Sequence, residues 1–309
     1  MKILLTTTSF QDTPGKHHDA LKETGFEVDT VRGPITEKVL LPIIANYDGV
    51  ICGDDYYSRS VLEKGKVGKL KILSKYGIGL DKIDLEAAEE LGIKVTNCPG
   101  VNHMAVAEHI FALILAFYKN IPDEINITRK GEWERLIGHE ISGKKIGVAG
   151  LGRIGKEVLL RAKAFGLKLY AFDKYVDMDF ANKHEVKVCD KLENLFSNTD
   201  IVSLNMNLND ENNRCINKNI LKNHTNKRLL LINTARGELV DENAIIYGIE
   251  NKILSGYLTD VLNDEPMNKS HPFLKYSNIL ITPHIGSRTY QSVERQGLMA
   301  VNNLKDYLV

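Results

Sequence analysis

The chain has 309 residues, with 40 lysines and arginines against 40 aspartates and glutamates, so its formal net charge at pH 7 is zero. This length is long for one core and suits two domains. The charge balance disfavours nucleic acid as the main partner, because phosphate binding needs a basic excess, and no segment approaches the roughly 18 apolar residues of a membrane span.

In the first hundred residues, short β-branched runs alternate with helix-length patterns, as is typical of a parallel sheet covered by helices. Each run is brief and apolar throughout, which is expected when both faces of a sheet are covered. A mixed sheet in another strand order stays open. The predicted strands are Ile3–Thr6, Gly49–Cys52, Lys71–Ser74 and Ile93–Thr96, and the predicted helices include Pro14–Thr24 and Thr36–Asn46.

A long apolar helix is predicted at Val101–Lys119, closed by Pro122, and the polar segment Asn126–Gly143 leads from it into a second alternating region. The chain then ends in a helix, Thr289–Tyr307, which we expect to pack back on the first region. The strands predicted between them are Lys145–Ala149, Lys168–Phe172, Ile201–Leu204, Leu229–Asn233, Gly256–Leu262 and Ile279–Thr282.

The cysteines indicate a reducing compartment. Cys52, Cys98, Cys189 and Cys215 are scattered without a CxxC pair or zinc-ligand spacing. The segment Met1–Leu5 reaches threonines too soon to hold the apolar core of a signal peptide. We therefore expect a cytoplasmic protein that needs no metal.

A GxGxxG string at Gly150–Gly155 is a weak signal alone, but its surroundings strengthen it. The string follows the predicted strand Lys145–Ala149 and opens a helix-like run, Ile154–Phe165. A second strand then ends at Asp173, which lies 18 residues beyond Gly155 (173 − 155). This βαβ arrangement with a following acid is the dinucleotide-binding pattern.

Each position of the pattern has a physical role. Gly150 permits a tight turn, Gly152 lets the backbone approach a pyrophosphate, and Gly155 allows close packing of helix on strand. The amides of Arg153 and Ile154, at the positive end of the helix dipole, would bind the pyrophosphate.

Asp173 would accept hydrogen bonds from the adenosine ribose hydroxyls and repel a 2′-phosphate. The expected cofactor is therefore NAD, with NADP less favoured, although the neighbouring Lys174 softens that preference.

Three charged or titratable residues follow predicted strands in the second region, where open α/β sheets bind ligands: Arg236, Glu265 and His284. Reduction of a 2-keto acid needs a proton donor, and histidine is the usual one. A carboxylate on its other ring nitrogen would stabilise the imidazolium, and an arginine can clamp a substrate carboxylate. Singly, each has a structural alternative: a surface ion pair, a helix cap or a core histidine.

Together these motifs resemble the D-isomer-specific 2-hydroxyacid dehydrogenase family, which includes phosphoglycerate dehydrogenase, glyoxylate/hydroxypyruvate reductases and formate dehydrogenase. The resemblance covers nearly the whole chain. It is also carried by Lys75–Asp81, Asn97–Asn102, Ala107-Glu108, Gly131–Trp133, Asn233–Gly237, Asp260 with Glu265-Pro266, and Pro283–Gly286.

The resemblance implies an α/β protein of two doubly wound parallel sheets. A Rossmann-like NAD domain at residues 100–283 would be inserted into a flavodoxin-like substrate domain at residues 1–99 and 284–309. It assigns catalysis to Arg236, Glu265 and His284, and implies a homodimer formed through the cofactor domain with the segment around Trp133. Further implied contacts are Ala235, Asp260 and Gly286 for the cofactor, and Gly77, Ile78, Gly79 and Asn102 for the substrate.

Two departures from the family pattern bear on the substrate and the cofactor pocket. Many relatives carry His-x-Pro where this chain has Asn205–Asn207. Phosphoglycerate dehydrogenases usually place an arginine near Gly53, where Asp54 and Asp55 would here repel a substrate phosphate. Lys75 and Arg59 could offset that repulsion.

The leading hypothesis is an NAD-dependent enzyme that moves hydride to and from C2 of a small D-2-hydroxy or 2-keto acid, with His284 as acid/base. An NAD(H)-sensing, corepressor-like interaction protein and a phosphite or formate oxidase stay open as alternatives. His103 and His109, in the long apolar helix, are expected to pack or hydrogen-bond rather than react, and His17 and His18, at a polar helix start, are expected to be solvated.

Overall fold

The computed structural model describes residues 1–222 and 228–309. The chain forms two compact units, one of Met1–Asn102 with Ser287–Val309 and one of His103–Gly286. Both boundaries lie three residues later than the sequence analysis placed them (102 against 99, 286 against 283).

The first unit is built on a five-stranded parallel sheet in the order β2-β1-β3-β4-β5, which is the flavodoxin-like doubly wound order. Its strands are β1 (Lys2–Leu5), β2 (Glu27–Thr30), β3 (Gly49–Cys52), β4 (Ile72–Lys75) and β5 (Lys94–Thr96). Its first helices are α1 (Thr8–Asp12), α2 (Lys16–Glu23), α3 (Glu37–Leu40), α4 (Arg59–Val67) and α5 (Leu85–Glu90).

The second unit contains a seven-stranded parallel sheet in the order β12-β11-β10-β9-β6-β7-β8. This is the Rossmann order with one added edge strand. Its strands are β6 (Lys145–Ala149), β7 (Lys168–Phe172), β8 (Lys187–Val188), β9 (Ile201–Leu204), β10 (Leu229–Asn233), β11 (Leu254–Thr259) and β12 (Ile279–Ile281). Its helices are α6 (His103–Tyr118), α7 (Ile121–Arg129), α8 (Arg153–Ala164), α9 (Met178–His184), α10 (Leu192–Asn198), α11 (Lys218–Lys222) and α12 (Glu242–Glu250).

The last helix, α13 (Tyr290–Leu308), returns to the first unit. The Ser74 hydroxyl of β4 donates to the Ala300 carbonyl of α13 at 2.9 Å. A Cβ at Gly297 would lie 2.6 Å from Cβ of His17, so glycine lets α13 approach α2 closely. This return agrees with the prediction that the last helix packs back on the first region.

Both sheets are covered on both faces, which explains their continuously apolar strands. In β1, Leu4 packs in one cluster while Ile3 and Leu5 pack in the other. In β10, Leu230 and Ile232 face the cluster that contains residues of α6 and α8, whereas Leu229 and Leu231 face the opposite cluster. The predicted α/β class with two parallel sheets is thereby confirmed.

Several predicted elements differ from the structure. Two edge strands were not predicted, because Glu27–Thr30 is largely polar and Lys187–Val188 is only two residues long. The segment Thr36–Asn46 is not one helix but a short helix, α3, followed by a 3₁₀ turn at Ile44–Asn46. Strand β11 ends at Thr259, three residues before the predicted end at Leu262.

Pro122 does not terminate the apolar helix, as was predicted; it lies in the first turn of the next helix, α7. A proline is tolerated there because the first N–H groups of a helix have no partner within the helix. The residues of α7 are all partly or fully exposed, which agrees with the polar segment predicted here. The helix itself was not predicted.

Within residues 1–222 and 228–309, no single helix is long and apolar enough to cross a membrane; by length and composition α6 and α7 meet that condition only as a pair, bent by 63°. In the same ranges no cluster of three or more His, Cys, Asp or Glu side chains is placed to hold a metal ion.

Candidate active site

The second unit brings His284 and Glu265 together. Nδ1 of His284 lies 2.7 Å from Oε2 of Glu265. Because a carboxylate only accepts, Nδ1 carries the proton and donates it, so Nε2 is the ring nitrogen that can exchange a proton with a substrate. The Leu262 amide donates to Oε1 of Glu265 at 3.0 Å, so the carboxylate is itself oriented. Both side chains remain about one-third exposed, at 33% and 34%.

The backbone at His284 is held in a left-handed conformation, with φ of 53°. This conformation costs a non-glycine residue roughly 1–2 kcal/mol. It is maintained because the His284 amide donates to the carbonyls of Asp260 and Thr282, at 2.9 and 3.0 Å. Strained backbone of this kind is concentrated at functional sites.

Asp260, predicted to contact the cofactor, lies just beyond β11 and is 2% exposed. Its carboxylate accepts hydrogen bonds from the amides of Ile285 and Gly286, at 2.9 and 2.7 Å. Burial raises the pKa of Asp260, but hydrogen bonds from His109, Thr282 and the two amides outweigh burial and hold that pKa below its ordinary value. Asp260 therefore fixes the two residues that follow His284.

Arg236 lies in the loop that follows β10, and β10 is the neighbour of β11 in the sheet. Its guanidinium donates to the Ala235 carbonyl at 2.7 Å, and its own carbonyl accepts from the Asn233 side chain at 2.8 Å. A Cβ at Gly237 would lie 2.2 Å from the Leu262 carbonyl oxygen. Only glycine lets the Arg236 loop pack against the backbone that orients Glu265.

The glycine-rich loop fits a dinucleotide. Gly150 has φ of 103°, and a Cβ at Gly155 would lie 2.1 Å from the Gly150 carbonyl oxygen, so both positions require glycine. At Gly152, the N-cap of α8, a Cβ would meet no atom within 4 Å. The open space beside Gly152 and the first amides of α8 is the cradle that a pyrophosphate would fill.

Asp173 lies at the end of β7, next to this loop. Its carboxylate accepts from the Leu151 amide at 2.6 Å and the Tyr175 amide at 2.8 Å. The segment that replaces the His-x-Pro of relatives packs on the same loop, since a Cβ at Gly150 would lie 2.7 Å from the Asn205 carbonyl.

In the first unit, Gly77–Gly79 forms a turn after β4, and φ of Gly77 is 132°. The turn is anchored through its carbonyls: Gly77 accepts from the Cys98 amide at 2.7 Å and Ile78 from the Asn97 side chain at 2.8 Å. A turn held in this way presents its amides, as anion-binding turns do.

Two charged groups of the first unit, a lysine and an aspartate, lie at the ends of β3 and β4. Lys75, whose side chain is only 5% exposed, contacts Asp54 at 2.6 Å. Asp55 is buried and accepts from Thr6 and from the Ile35 and Gly53 amides, and burial raises its pKa. The Asp54 and Asp55 carboxylates therefore both have partners within the protein. The expectation that they repel a substrate phosphate did not take these partners into account.

Asn102, predicted to face substrate, is buried, and its Oδ1 has no hydrogen-bond partner within the described residues. Such an oxygen is costly unless a ligand pairs with it.

Sequence reasoning missed two polar residues beside His284. His109 of α6 was expected only to pack or hydrogen-bond, and Thr282 was not considered. Nε2 of His109 lies 2.9 Å from Oγ1 of Thr282. A threonine that ends a strand immediately before Pro283-His284 was the available signal.

Known proteins resemble this chain over most of its length. Residues 111–286 match the family described as D-isomer specific 2-hydroxyacid dehydrogenase, NAD binding domain. A glyoxylate reductase of Korarchaeum cryptofilum is 31% identical over 291 residues, which cover 91% of this chain and 86% of that protein. The chain belongs to the D-isomer specific 2-hydroxyacid dehydrogenase family.

Further relatives and a solved structure extend the likeness. A D-3-phosphoglycerate dehydrogenase of Methanocaldococcus jannaschii is 35% identical over 94% of this chain, but over only 56% of its own length. The chain spans about half the length of three curated phosphoglycerate dehydrogenases that it matches. The TT0316 protein of Thermus thermophilus superposes with a TM-score of 0.88 at 35% identity, covering 100% of this chain and 97% of that one.

Family membership confirms the predicted cofactor. Residues 111–286 match the NAD-binding domain of the family, and NAD is the cofactor of that domain.

Proposed function

We propose that the protein is an NAD-dependent D-2-hydroxyacid dehydrogenase that acts on a small 2-keto acid or its D-2-hydroxy acid. The observation that carries this proposal is the 2.7 Å hydrogen bond between His284 and Glu265. It lies at the carboxyl edge of the sheet that also carries the dinucleotide loop, where ligands of open α/β sheets bind.

His284 is the acid/base in this proposal. In reduction, its Nε2 gives a proton to the carbonyl oxygen of the keto acid, and in oxidation it takes that proton back. NADH, when bound, supplies the hydride that C2 receives. Glu265 holds Nδ1 and stabilises the imidazolium, so the ring is oriented for the proton transfer.

In the second unit, Arg236 is assigned to the substrate carboxylate. In the first unit, the amides of Gly77, Ile78 and Gly79 are assigned to an anionic group of the substrate. A guanidinium and backbone amides are both strong donors to a carboxylate. Asn102, with its buried unpaired oxygen, is assigned to a donor group on the substrate.

The decisive experiment measures NADH oxidation with glyoxylate, hydroxypyruvate, pyruvate and 3-phosphohydroxypyruvate. Turnover on at least one of the keto acids is expected. No turnover on all four would favour the NAD(H)-sensing alternative, and NAD reduction by formate or phosphite would favour oxidation of those anions. A sensor has no chemical need for the His284–Glu265 pair, which is why the reductase is preferred.

The same assay with NADPH tests cofactor preference. Asp173 lies at the end of β7 with both carboxylate oxygens oriented by backbone amides, so its charge is fixed where a 2′-phosphate would enter. We expect kcat/KM to be higher with NADH than with NADPH.

We also propose a homodimer formed through the second unit. Trp133 is 81% exposed and Ile137 is 93% exposed, and large apolar side chains this open on one segment are typical of an interaction surface. A dimer mass in light scattering that falls to the monomer in Trp133→Ser/Ile137→Ser is the expected result. The cytoplasmic location stays a prediction.

A further inference from the structure

His109 lies on helix α6, and its ring contacts the segment Thr282–Gly286. Its Nε2 is 2.9 Å from Oγ1 of Thr282 and 3.4 Å from Oδ1 of Asp260. The 173 positions that separate His109 from Thr282 in the sequence make this a tertiary contact between α6 and the end of β12.

The direction of these hydrogen bonds follows from their geometry. The Thr282 hydroxyl lies 2.6 Å from Oδ1 of Asp260 and must donate to it, because a carboxylate with lowered pKa only accepts. The single hydroxyl proton is then used. Nε2 of His109 must therefore carry a proton and donate it to Thr282, since a lone pair there would face two acceptor oxygens.

This donation bears directly on the segment that carries His284. The Asp260 carboxylate that receives the Thr282 proton also accepts from the Ile285 and Gly286 amides. A Cβ at Gly286 would lie 3.0 Å from Oδ2 of Asp260 and 3.5 Å from Cδ2 of His109. The ring of His109 thus both donates into this network and packs against the backbone that follows His284.

We propose that His109 is a positioning residue for the acid/base His284. Its Nε2–H fixes Thr282 on Asp260, and Asp260 in turn fixes the amides of Ile285 and Gly286, the two residues that follow His284. The role rests on the proposed function of His284, and His109 itself is not assigned any contact with substrate.

The test compares His109→Gln with His109→Phe. A glutamine amide can place a donor near the position of Nε2, whereas phenylalanine keeps the ring and removes the donor. We expect His109→Phe to lower kcat by about 10- to 100-fold, the scale of a 1 Å displacement at a reacting group. The KM for the keto acid should change less than kcat. His109→Gln should stay within about threefold of the parent protein on the same scale.

Two further variants serve as a control and a check. Glu108→Gln changes the neighbouring exposed residue of α6, whose carboxylate contacts Arg161 rather than the network, and should leave kcat unchanged. Thr282→Val removes the relaying hydroxyl at similar volume, and it should reproduce the effect of His109→Phe even if the latter folds poorly.

Hydrogen exchange at Ile285 and Gly286 separates this inference from the proposed function. Both amides should be protected in the parent and in His109→Gln, and should exchange faster in His109→Phe, whether or not the protein turns over a keto acid. An inactive parent with this exchange pattern would overturn the proposed reaction, while the effect of His109 on the Ile285 and Gly286 amides would still hold. An unchanged kcat and unchanged exchange in His109→Phe, or equal losses in both His109 variants, would overturn the positioning role.

Discussion

The two units of the chain place polar groups at the carboxyl ends of parallel strands in different ways. In the second unit the groups are side chains: His284 on Glu265, with Asp260 fixing the backbone behind them. In the first unit they are the backbone of the Gly77–Gly79 turn and a lysine neutralised by Asp54.

This difference separates two kinds of task. Side chains that titrate can move protons, whereas backbone amides and a neutralised ion pair can only bind and select. We therefore expect substitutions of His284 and Glu265 in the second unit to act mainly on kcat, and substitutions in the first unit to act on KM and on the choice of substrate.

The largest effect should come from His284→Ala, which removes the proton donor. We expect kcat/KM for the preferred keto acid to fall by about 10³-fold, while NADH still binds, as measured by quenching of its fluorescence. Turnover comparable to that of the parent would refute the acid/base assignment and with it the contrast between the units.

Glu265→Gln should have the next largest effect, because it removes the charge that stabilises the imidazolium and orients the ring. We expect kcat to fall by about 10²-fold or more, measured by steady-state NADH oxidation. Asp264→Asn, at the exposed neighbouring position, is the matched control and should leave kcat within about twofold. Equal losses in both variants would indicate damage to the loop rather than loss of the pair.

In the first unit, Asp54→Asn should change selectivity. Without the Asp54 carboxylate, the buried ammonium of Lys75 attracts an anionic group on the substrate. The ratio of kcat/KM for 3-phosphohydroxypyruvate to that for glyoxylate should rise by about tenfold, equivalent to about 1.4 kcal/mol. Asp12→Asn, which breaks an exposed ion pair with Arg32 in the same unit, should leave the ratio unchanged. A large fall in kcat in Asp54→Asn would contradict the division of tasks.

The smallest effect concerns stability rather than activity. His17 is fully buried, and burial lowers its pKa below the ordinary value of 6.5. The folded protein therefore holds His17 neutral, and the stability that this contributes is present above pH 6.5 and is lost as the pH falls through the lowered pKa. In His17→Gln, Tm should decline less than in the parent as the pH falls from about 6.5 to about 5. Parallel curves for His17→Gln and the parent would exclude the effect.

The parts of the fold that could be predicted are those whose signal is local. Strands β6, β7, β9 and β10 were predicted at their observed bounds, because a strand buried on both faces must be apolar throughout. The edge strand Glu27–Thr30 carries no such signal, since one of its edges meets water and its residues are polar. Helix α7 escaped prediction for a related reason, because its side chains are largely exposed.

The residues of the candidate site likewise fall into those that local sequence predicts and those that depend on tertiary packing. Gly150, Gly155 and Asp173 could be placed from spacing within one βαβ unit, and His284 and Glu265 from their positions after strands. The contact of His109 with Thr282 could not be predicted, because it depends on how α6 packs against the end of β12. The same holds for the Lys75–Asp54 pair, which joins two strand ends.

The return of α13 to the first unit has a consequence for biosynthesis. The 19 residues of this helix leave the ribosome only after the entire second unit has been made. Until then, the face of the first sheet that carries Ile3 and Ile72 lacks the cover that Val301 and Leu304 later provide. In nascent chains we therefore expect the second unit to fold while the first unit is still incomplete. The residues that are synthesised first would then be the last to reach their native structure, and they would stay available to chaperones for longest.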